Sequence, residues 1–374
     1  MSQRTRLFRH TRPYDTDGTR ELFVQAVREN VLHHDAHCEG YHRMLAACGF
    51  SPRSLQTESD LERLPPLPTL LFKHHRLISR PEHRIVLEAT SSGTKGSFSR
   101  IAFDLGSLAC GTPMVLHTAA HRRLLSPRPV NYIILGYKPH RGNRMAVART
   151  AFGSTFLAPA LHRSYALQYR DGGYVPDLEQ VLAHLTAYSR LPFPVRFMGF
   201  PSYTYFLLRR MEERGVRLML PKHSKIMLGG GWKEFYTQQV DKPVLYEMIR
   251  RLLGVEESHV IEFFGAVEHP ILYCDCPYHH FHIPIYSRVL IRDVHTLEAL
   301  PPGQPGLVNL ITPLMTAVPV TSILTDDLGI LHEEPCPCGI RSPYLELLGR
   351  VGLQDIRTCA AGAAQLLGGE GGLT

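Results

Sequence analysis

The feature that most constrains the fold is a series of short strands that alternate with helices through the middle of the chain. Val130–Gly136 is apolar throughout, which is typical of a strand buried on both faces, and Val195–Gly199 and Lys225–Leu228 predict further strands. Strands that alternate with helices predict an α/β layer architecture with parallel strands. Arg84–Ala89 and His259–Phe264 are the outermost strands predicted in this series. The helices predicted between the five strands are Leu105–Ala120, Leu178–Ser189, Thr204–Gly215 and Lys233–Leu253.

The two ends of the chain differ from this central pattern. Arg20–Cys48 has apolar residues at helical spacing, whereas Ser287–Arg292 and Gly306–Thr312 predict strands joined by Pro and Gly turns. The sequence is therefore divided into a helical N-terminal segment at 1–80, an α/β core at 81–270, a β-rich subdomain at 271–350 and a short tail at 351–374.

Composition and charge exclude several classes of protein. The chain has 374 residues, a formal net charge of +7 and a pI near 9.0. This charge suits an anionic small ligand, and because we find no basic stripe interleaved with aromatics, nucleic acid is not expected as a partner. No apolar run approaches the ~20 residues of a membrane span, and the N-terminus lacks the apolar stretch of a signal peptide. We expect a cytoplasmic protein without a membrane span.

Two glycine-containing loops follow predicted strands. Backbone amides, hydroxyls and a lysine in Thr90–Gly96 can surround phosphate oxygens, although the spacing is not that of a Walker A loop. Gly229, Gly230 and Gly231 come directly after a strand, where small residues allow close approach of a ligand to the backbone. A plain turn is the alternative at each place.

Three further motifs place charged residues near strand ends. Phe264-Gly265-Ala266-Val267-Glu268 combines an aromatic ring, which can stack on a base, with a carboxylate, which can hold Mg²⁺. Thr325-Asp326-Asp327-Leu328-Gly329 offers a carboxylate to sugar hydroxyls, and Leu348-Gly349-Arg350 offers a cation. Each charged residue alone could belong to a solvated turn.

Taken in order, these five motifs resemble those of the adenylate-forming superfamily. The resemblance covers about residues 60–360 and is specific as a set. The chain looks closest to the phenylacetate–CoA ligase group and to the acyl-protein synthetase of the bacterial luminescence fatty-acid reductase complex. The Gly-Gly-Gly-Trp-Lys run at 229–233, the chain length and the Arg357-Thr358-Cys359 tail favour the second group.

The resemblance implies a fold and a set of roles. The implied fold is that of the superfamily's N-terminal domain, with layered sheets, flanking helices and a β-rich subdomain. The C-terminal domain would be largely missing, since only 24 residues follow Arg350. Glu268 would hold Mg²⁺, Asp327 the ribose, and Arg350 the ribose or phosphates. The remaining nucleotide contacts implied by the resemblance are Ser91, Ser92, Gly93, Thr94, Lys95 and Gly96 for the phosphates, and Gly229, Gly230, Gly231, Phe264 and Gly265 for the adenine.

Cys359 is the candidate nucleophile. In the acyl-protein synthetase that this chain resembles, a cysteine near the C-terminus takes the acyl group, and Cys359 matches that position. Arg357 and a short helix predicted after Cys359 would lower the thiol pKa and favour the thiolate. The alternative is an incidental cysteine in the tail. Two residues depart from the superfamily pattern, because Val267 replaces a threonine and Asp326 replaces a glycine.

Two Cys-x-Cys pairs and nearby histidines form a separate group. Thiolates and imidazole in a tetrahedral set suit a structural Zn²⁺. A similar set in the phenylacetate–CoA ligase group maps best onto Cys274, His282, Cys336 and Cys338, with Cys276 as the alternate. Reduced, buried thiols without metal are the other interpretation.

The resemblance implies ATP-dependent activation of a fatty or aromatic carboxylic acid as its acyl-adenylate, with release of pyrophosphate. The acyl group would then pass to a thiol, with Cys359 as the first candidate. A small amine, an alcohol, CoA or a separate acceptor protein is the alternative acceptor. A protein that binds an acyl-adenylate without turnover also remains open. The implied cofactors are ATP, Mg²⁺ and structural Zn²⁺, and the sequence does not indicate an oligomeric state.

Overall fold

A computed structural model describes residues 1–91, 98–140 and 142–350. Its α-helices are α1 (Gln3–Phe8), α2 (Arg20–His37), α3 (Glu39–Ala47), α4 (Leu71–His74), α5 (Leu105–His121), α6 (Ala146–Ser154), α7 (Leu178–Ser189), α8 (Pro201–Glu213) and α9 (Lys242–Leu253). Short 3₁₀ helices lie at Pro52–Ser54, Glu58–Arg63, Glu82–Arg84, Lys233–Gln238 and Glu257–His259. Over the described ranges, no helix combines the length and the hydropathy needed to cross a bilayer.

The strands of the described chain range from two to eleven residues in length. They are β1 (Leu67–Pro68), β2 (Ile85–Thr90), β3 (Arg100–Asp104), β4 (Val130–Tyr137), β5 (Ala160–Arg170), β6 (Gly173–Pro176), β7 (Val195–Gly199), β8 (Lys225–Gly229), β9 (Val260–Ala266), β10 (His269–Cys274), β11 (Phe281–His282), β12 (Arg288–Arg292), β13 (Ala299–Leu300), β14 (Pro305–Ile311), β15 (Ser322–His332) and β16 (Tyr344–Arg350).

The chain forms two compact units. The first unit contains residues 1–118, 265–273 and 280 onward, and the second contains residues 119–264 and 274–279. The division into four segments made from the sequence stays a prediction about the domains.

The second unit is built on a mostly parallel sheet. Its strands lie side by side in the order β9-β8-β7-β4-β5-β6, and only β6 runs antiparallel to its neighbour. Ile133, Val195 and Ile226 are fully buried, which matches the apolar runs in the sequence. The prediction of an α/β architecture with parallel strands is confirmed.

Local sequence explains where the helices of this unit begin and end. The Asp177 carboxylate caps α7 by accepting a hydrogen bond from the backbone N–H of Gln180 at 3.1 Å. Gly254 ends α9 in the left-handed conformation, with φ of 64°. Apolar residues at helical spacing on α7 and α9, such as Leu185 and Ile249, are buried in the same core cluster.

The first unit contains an antiparallel sheet in the order β11-β16-β15-β14-β12-β13. The short strand β1 pairs in parallel with β15, through Leu67 opposite Ile323. Strands β2 and β3 form a separate antiparallel pair, with Thr90 opposite Arg100. They flank the loop predicted at Thr90–Gly96, which we call the hydroxyl-glycine loop. The β-rich character predicted for this part of the chain is therefore observed, and β16 is an additional strand that the sequence pattern did not predict.

Two predicted helices are interrupted in the structure. The helix predicted over Arg20–Cys48 is divided into α2 and α3, because Cys38 has extended backbone angles between them, φ −133° and ψ 99°. The helix predicted over Lys233–Leu253 becomes a 3₁₀ helix and α9, and α9 starts afresh with Asp241 at its N-cap and Pro243 in its first turn. In both places apolar periodicity continues across a break in the backbone.

Candidate functional site

Asp327 and Arg350 lie opposite each other on β15 and β16. The Nε–H of Arg350 donates to Oδ1 of Asp327 at 2.8 Å, and Arg350 is the one side chain among the described residues that donates to this carboxylate. The carboxylate is mostly buried, whereas the Arg350 side chain is 60% exposed. A buried hydrogen-bond acceptor, the Asp327 carboxylate, therefore lies beside a solvent-exposed cation, the Arg350 guanidinium.

The neighbouring Asp326 has a different environment. Its Oδ1 accepts a hydrogen bond from the Thr69 hydroxyl at 3.0 Å, close to the pairing of β1 with β15. The Thr325 hydroxyl accepts the backbone N–H of Asp327 at 3.2 Å and donates to the carbonyl of Val308 at 3.1 Å. Asp326 thus anchors β15 next to β1, and the Asp327 carboxylate takes no part in this contact.

Glu268 lies in the turn between β9 and β10 and is almost entirely buried. Burial raises the pKa of its carboxyl group above the usual value, and the Ser99 hydroxyl and the charge of Lys73 oppose this shift. A buried carboxylate is costly unless a cation or hydrogen-bond donor offsets its charge. Glu268 is therefore chemically suited to bind a cation.

Ser91 closes the base of the hydroxyl-glycine loop. Its backbone N–H donates to the carbonyl of Ser99 at 3.1 Å, and its hydroxyl accepts the N–H of Ser99 at 2.9 Å. Ser99 thereby closes the loop base, and its hydroxyl favours the ionised form of Glu268, a contribution that the sequence analysis missed. The five predicted phosphate-binding residues of the loop itself, Ser92, Gly93, Thr94, Lys95 and Gly96, lie outside the described residues.

The predicted adenine-binding residues of the second unit lie at the carboxyl ends of two neighbouring parallel strands. Gly229, the last residue of β8, pairs with Phe263 on β9, and Phe264 is the next residue of β9. Gly230 and Gly231 adopt φ of 83° and 68°, which strongly favours glycine. The structure thus brings the glycine run and the aromatic motif together, as expected for ligand-binding ends of parallel strands.

Gly265 belongs to the first unit. A Cβ atom on Gly265 would lie 3.1 Å from the carbonyl oxygen of Ile271, so a larger residue would press on the backbone of β10. Glycine thus fits the close packing next to the turn that holds Glu268.

A second group of side chains has the composition of a metal site. The ligand atoms of Cys276, His282, Cys336 and Cys338 all lie within 4.8 Å of one another. His282 Nε2 is 3.2 Å from Cys338 Sγ, and its Nδ1 donates to the carbonyl of Ser342 at 2.9 Å. The bond at Nδ1 selects the tautomer that leaves Nε2 as a ligand, which is the usual arrangement around a metal-binding histidine.

The structure selects Cys276 rather than Cys274 for this group. Cys274 was the preferred cysteine in the sequence analysis, but its side chain packs in an apolar cluster with Ile134, Met227 and Ile261. Burial raises the pKa of the Cys274 thiol, which disfavours the thiolate that a metal needs. The structure therefore favours the alternate, Cys276, over Cys274 as the cysteine of this group, and its role as a metal ligand stays a prediction.

An aromatic stack supports the same group. The rings of His280 and Tyr344 are parallel within 2° at 4.1 Å, and His332 stacks on Tyr344 at 4.8 Å. His280 Nδ1 also lies 3.2 Å from Cys336 Sγ. The closely spaced histidines after Cys276 were visible in the sequence. Their stacking on the distant Tyr344 was not.

Cys359, the predicted nucleophile, lies outside the described residues. Its assignment therefore rests on the sequence. Of the cysteines that the structure describes, Cys48 is the exposed one, and Cys338 is partly exposed.

Comparison with known families identifies one match over nearly the whole chain. A family model described as acyl-protein synthetase, LuxE, matches residues 6–367. The long-chain-fatty-acid–luciferin-component ligase of Aliivibrio fischeri is 25% identical over 317 residues, which cover 82% of this chain and 79% of the relative. The corresponding ligase of Vibrio harveyi is 26% identical over the same lengths.

Solved structures with the same fold are adenylate-forming ligases. A 2-hydroxyisobutyryl-CoA ligase in the postadenylation state, in complex with 2-HIB-AMP, has a TM-score of 0.67 and 15% identity over 91% of this chain and 70% of that chain. An open conformation of that ligase with 2-HIB-AMP and CoA has a TM-score of 0.66 and 16% identity, covering 91% and 76%. At this level of identity the likeness establishes the fold, which confirms the fold class inferred from the motifs.

Proposed function

Because the chain belongs to the LuxE family of acyl-protein synthetases, we propose that it activates a long-chain fatty acid with ATP and transfers the acyl group to a thiol. The pairing of Asp327 with Arg350 is the structural observation that best supports this function, since it joins two motifs that resemble the superfamily's nucleotide-binding residues. The relatives named as long-chain fatty-acid ligases favour a fatty acid over an aromatic one.

The first proposed step is adenylation. A carboxylate oxygen of the acid attacks the α-phosphorus of ATP, the bond to the β-phosphate oxygen breaks, and pyrophosphate leaves. Asp327 accepts hydrogen bonds from the ribose hydroxyls, and the exposed guanidinium of Arg350 neutralises phosphate charge. Positioning and charge neutralisation carry most of the rate in such a displacement, because the protein makes no covalent bond in this step.

Mg²⁺ is the proposed partner of Glu268. The desolvated carboxylate suits a hard cation, which would neutralise charge on the ATP phosphates when bound. Ser91 and Ser99 hold the base of the loop proposed to surround those phosphates, and Gly229–Gly231 with Phe264 are the proposed adenine contacts. Lys95 is proposed to add a positive charge from within the loop.

The second proposed step is acyl transfer to Cys359. Its thiolate attacks the carbonyl carbon of the acyl-adenylate, AMP leaves, and a thioester forms on the enzyme. The family model extends to residue 367 and so includes this cysteine. The thioester can then pass to a further acceptor, whose identity is open, and we propose that the reaction takes place in the cytoplasm.

Zn²⁺ is the proposed structural ion at Cys276, His282, Cys336 and Cys338. Metal–ligand bonds of about 2.0–2.3 Å in a tetrahedron separate ligand atoms by roughly 3.5–3.8 Å. The observed spread within 4.8 Å is close to this and needs only a small contraction. Three thiolates and one imidazole leave no open position, so the ion would stabilise the fold and take no part in catalysis.

Labelling with a radioactive fatty acid tests the proposed function. In the presence of ATP, the wild-type protein is expected to become labelled, and hydroxylamine should release the label because it cleaves thioesters. Cys359→Ser should retain pyrophosphate release on the first turnover but lose the thioester label. Cys48→Ser, which changes an exposed cysteine elsewhere, is the matched control and should label normally.

Each other outcome identifies a different reaction. Full thioester labelling of Cys359→Ser would refute self-acylation at this residue. Label that appears on added CoA or on a small amine would identify the alternative acceptors. Absence of ATP-dependent pyrophosphate release with fatty acids of every chain length would contradict the adenylation step itself and leave a protein that binds without turnover.

A further inference from the structure

One long segment of the sequence lacks negative charge. Residues 105–170 contain no aspartate or glutamate but nine lysines and arginines, although the chain as a whole has 34 acidic residues. The segment therefore carries more positive charge than the entire protein does in net terms, which is +7. Arg122 and Arg170 form ion pairs with carboxylates that lie outside the segment, Asp275 and Asp177. The positive charge that remains in excess points to an anionic partner.

In the second unit, this segment exposes two aromatic rings around an arginine. The guanidinium carbon of Arg163 lies 5.7 Å from the ring centre of Phe152 and 5.6 Å from that of Phe156. The two rings contact each other edge to face at 5.2 Å, and the Arg163 Nε–H donates to the Thr155 hydroxyl at 2.8 Å. Phe156 is nevertheless 69% exposed and Phe152 38% exposed, so these rings face solvent and not the core.

Neighbouring residues extend this surface. Leu161 precedes Arg163 by two positions on β5, which places both on one face of the strand, and it is 42% exposed. Arg149 precedes Phe152 by three positions on α6 and so shares its face of the helix. The loop after Leu125 is joined to this region by the Ser126 N–H, which donates to the carbonyl of Leu157 at 3.0 Å. We call this surface the basic aromatic patch, formed by Leu125, Arg149, Phe152, Phe156, Leu161 and Arg163.

The charges of the basic aromatic patch are not neutralised within the described chain. Neither Arg149 nor Arg163 forms an ion pair with a carboxylate among the described residues. Arginines elsewhere in the same unit do form such pairs, for example Arg210 and Arg214 with Glu179. The patch thus combines uncompensated positive charge with large exposed apolar side chains.

We propose that the basic aromatic patch docks the protein on the surface of an anionic phospholipid bilayer. Phenylalanine and leucine side chains can enter the boundary between headgroups and acyl chains, while the guanidinium groups stay with the lipid phosphates. The carboxylates of an acidic protein could pair with the arginines. An acidic surface would not, however, remove Phe156 and the two leucines from water, as the acyl region of a bilayer does. An anionic bilayer is therefore the partner that matches both the arginines and the apolar side chains of the basic aromatic patch.

The position of the patch leaves the proposed ligand-binding edge of the sheet accessible. Leu125 and Phe156 precede β4 and β5, at the amino ends of these strands, whereas Gly229 lies at the carboxyl end of its strand. Because neighbouring strands β4, β5, β7 and β8 are parallel, the two ends of the sheet are opposite edges of the same unit. Docking through the amino ends is thus compatible with ligand binding at the other edge.

Co-sedimentation of the full chain with phospholipid vesicles tests this proposal. Vesicles of phosphatidylcholine with about 30% phosphatidylglycerol should bind the wild-type protein at low ionic strength, and binding should weaken as salt screens the charges. Vesicles of phosphatidylcholine alone should bind it far less. Arg149→Gln and Arg163→Gln should each weaken binding about fivefold, and Phe156→Ser about tenfold.

Matched controls change exposed residues outside the patch. Arg217→Gln removes an exposed arginine of the same unit, and Val294→Ser removes an exposed apolar side chain, so both should bind anionic vesicles as the wild type does. Vesicle binding is measured without ATP or fatty acid, and pyrophosphate release is measured without vesicles, so docking and the proposed reaction can fail independently. Equal binding by the wild type and Phe156→Ser, or no preference for anionic vesicles, would overturn the proposal. The proposal would also be overturned if the chain bound an acidic protein but did not bind vesicles.

Discussion

Arg350 donates its Nε–H to Asp327 at 2.8 Å across adjacent antiparallel strands, although the two residues belong to different sequence motifs. The register of β15 and β16 alone brings them together. Because the aspartate is mostly buried and the arginine is exposed, the pair can orient a ligand that presents hydroxyls to one residue and phosphate to the other.

Removal of the Arg350 charge should impair adenylation. Arg350→Gln is expected to lower the rate of ATP-dependent pyrophosphate release by about a hundredfold, because it removes a preorganised charge that we propose to lie near the phosphates. Steady-state pyrophosphate release with a saturating fatty acid measures the effect. Arg250→Gln, which breaks the exposed pair with Glu247 on α9, should leave the rate unchanged, and a similar loss in both variants would contradict the role of Arg350.

Glu268→Gln should separate stability from activity. In the absence of nucleotide, the ionised carboxylate is buried with little compensation, so the neutral amide should raise the melting temperature at pH 7.5. The same change should reduce pyrophosphate release by about a hundredfold or more, because the proposed Mg²⁺ partner is lost. Differential scanning fluorimetry and the release assay measure the two effects. A variant that is less stable than the wild type without ligand would show that the carboxylate is instead a stabilising group.

The choice between Cys276 and Cys274 can be tested by metal analysis. Cys276→Ser should reduce the zinc content well below one ion per chain and lower the melting temperature, because a ligand of the proposed site is lost. Cys274→Ser should keep the zinc, although it places a hydroxyl in an apolar cluster and costs some stability. Elemental analysis of both purified proteins distinguishes them. Zinc loss only in Cys274→Ser would reverse our assignment.

His34 should make the protein less stable as the pH falls. The ring is fully buried between the Ser79 hydroxyl and the carbonyl of Met315, and burial lowers its pKa to about 3. A histidine with a lowered folded-state pKa contributes its full stability above the unfolded pKa of about 6.5 and loses it as the pH falls toward the folded pKa. The expected loss from this residue is about 1.4 kcal/mol per pH unit below about 6.5.

Urea unfolding at pH 7.5 and pH 5.5 measures this dependence. His34→Gln should be less stable at pH 7.5, but its stability should change less between the two values. His37→Gln, which alters an exposed histidine of the same helix, should keep the wild-type dependence. An unchanged pH dependence in His34→Gln would show that another group is responsible.

Gly329 should be required for the pairing that holds Asp327 in place. A Cβ atom there would lie 2.7 Å from the carbonyl oxygen of Glu346, which is the backbone of the partner strand β16. Gly329→Ala should therefore lower the free energy of unfolding by more than about 1 kcal/mol. Gly111→Ala, in helix α5 with nothing within 4 Å of the added methyl, should instead be neutral or slightly stabilising. Chemical denaturation of the two variants makes the comparison.

The sequence predicted the central α/β layers well because apolar runs such as Val130–Gly136 report burial on both faces directly. It did not predict β5, since only the four middle residues of its eleven are buried and its ends are polar. It also joined α2 to α3, because the periodicity of apolar residues continues past Cys38 while the backbone does not.

Candidate site residues could be proposed from the sequence where the motif consists of contiguous residues. The glycines at 229–231 and the motif that contains Glu268 could be recognised because their spacing is local. The role of Ser99 depends on the register of β2 with β3, and the choice of Cys276 over Cys274 depends on which side chain leaves the apolar core. Tertiary packing determines these contacts, and a short sequence pattern does not predict it.

The parallel pairing of β1 with β15 has a consequence for biosynthesis. Leu67 meets Ile323, so a ribosome must add 256 more residues before the first of these strands finds its partner. Most of the second unit is contiguous in sequence, from residue 119 to residue 264, so its strands can pair as soon as that stretch has been synthesised. During translation we therefore expect residues 119–264 to acquire protease resistance before the N-terminal segment, because β1 lacks its partner strand β15 until late in synthesis.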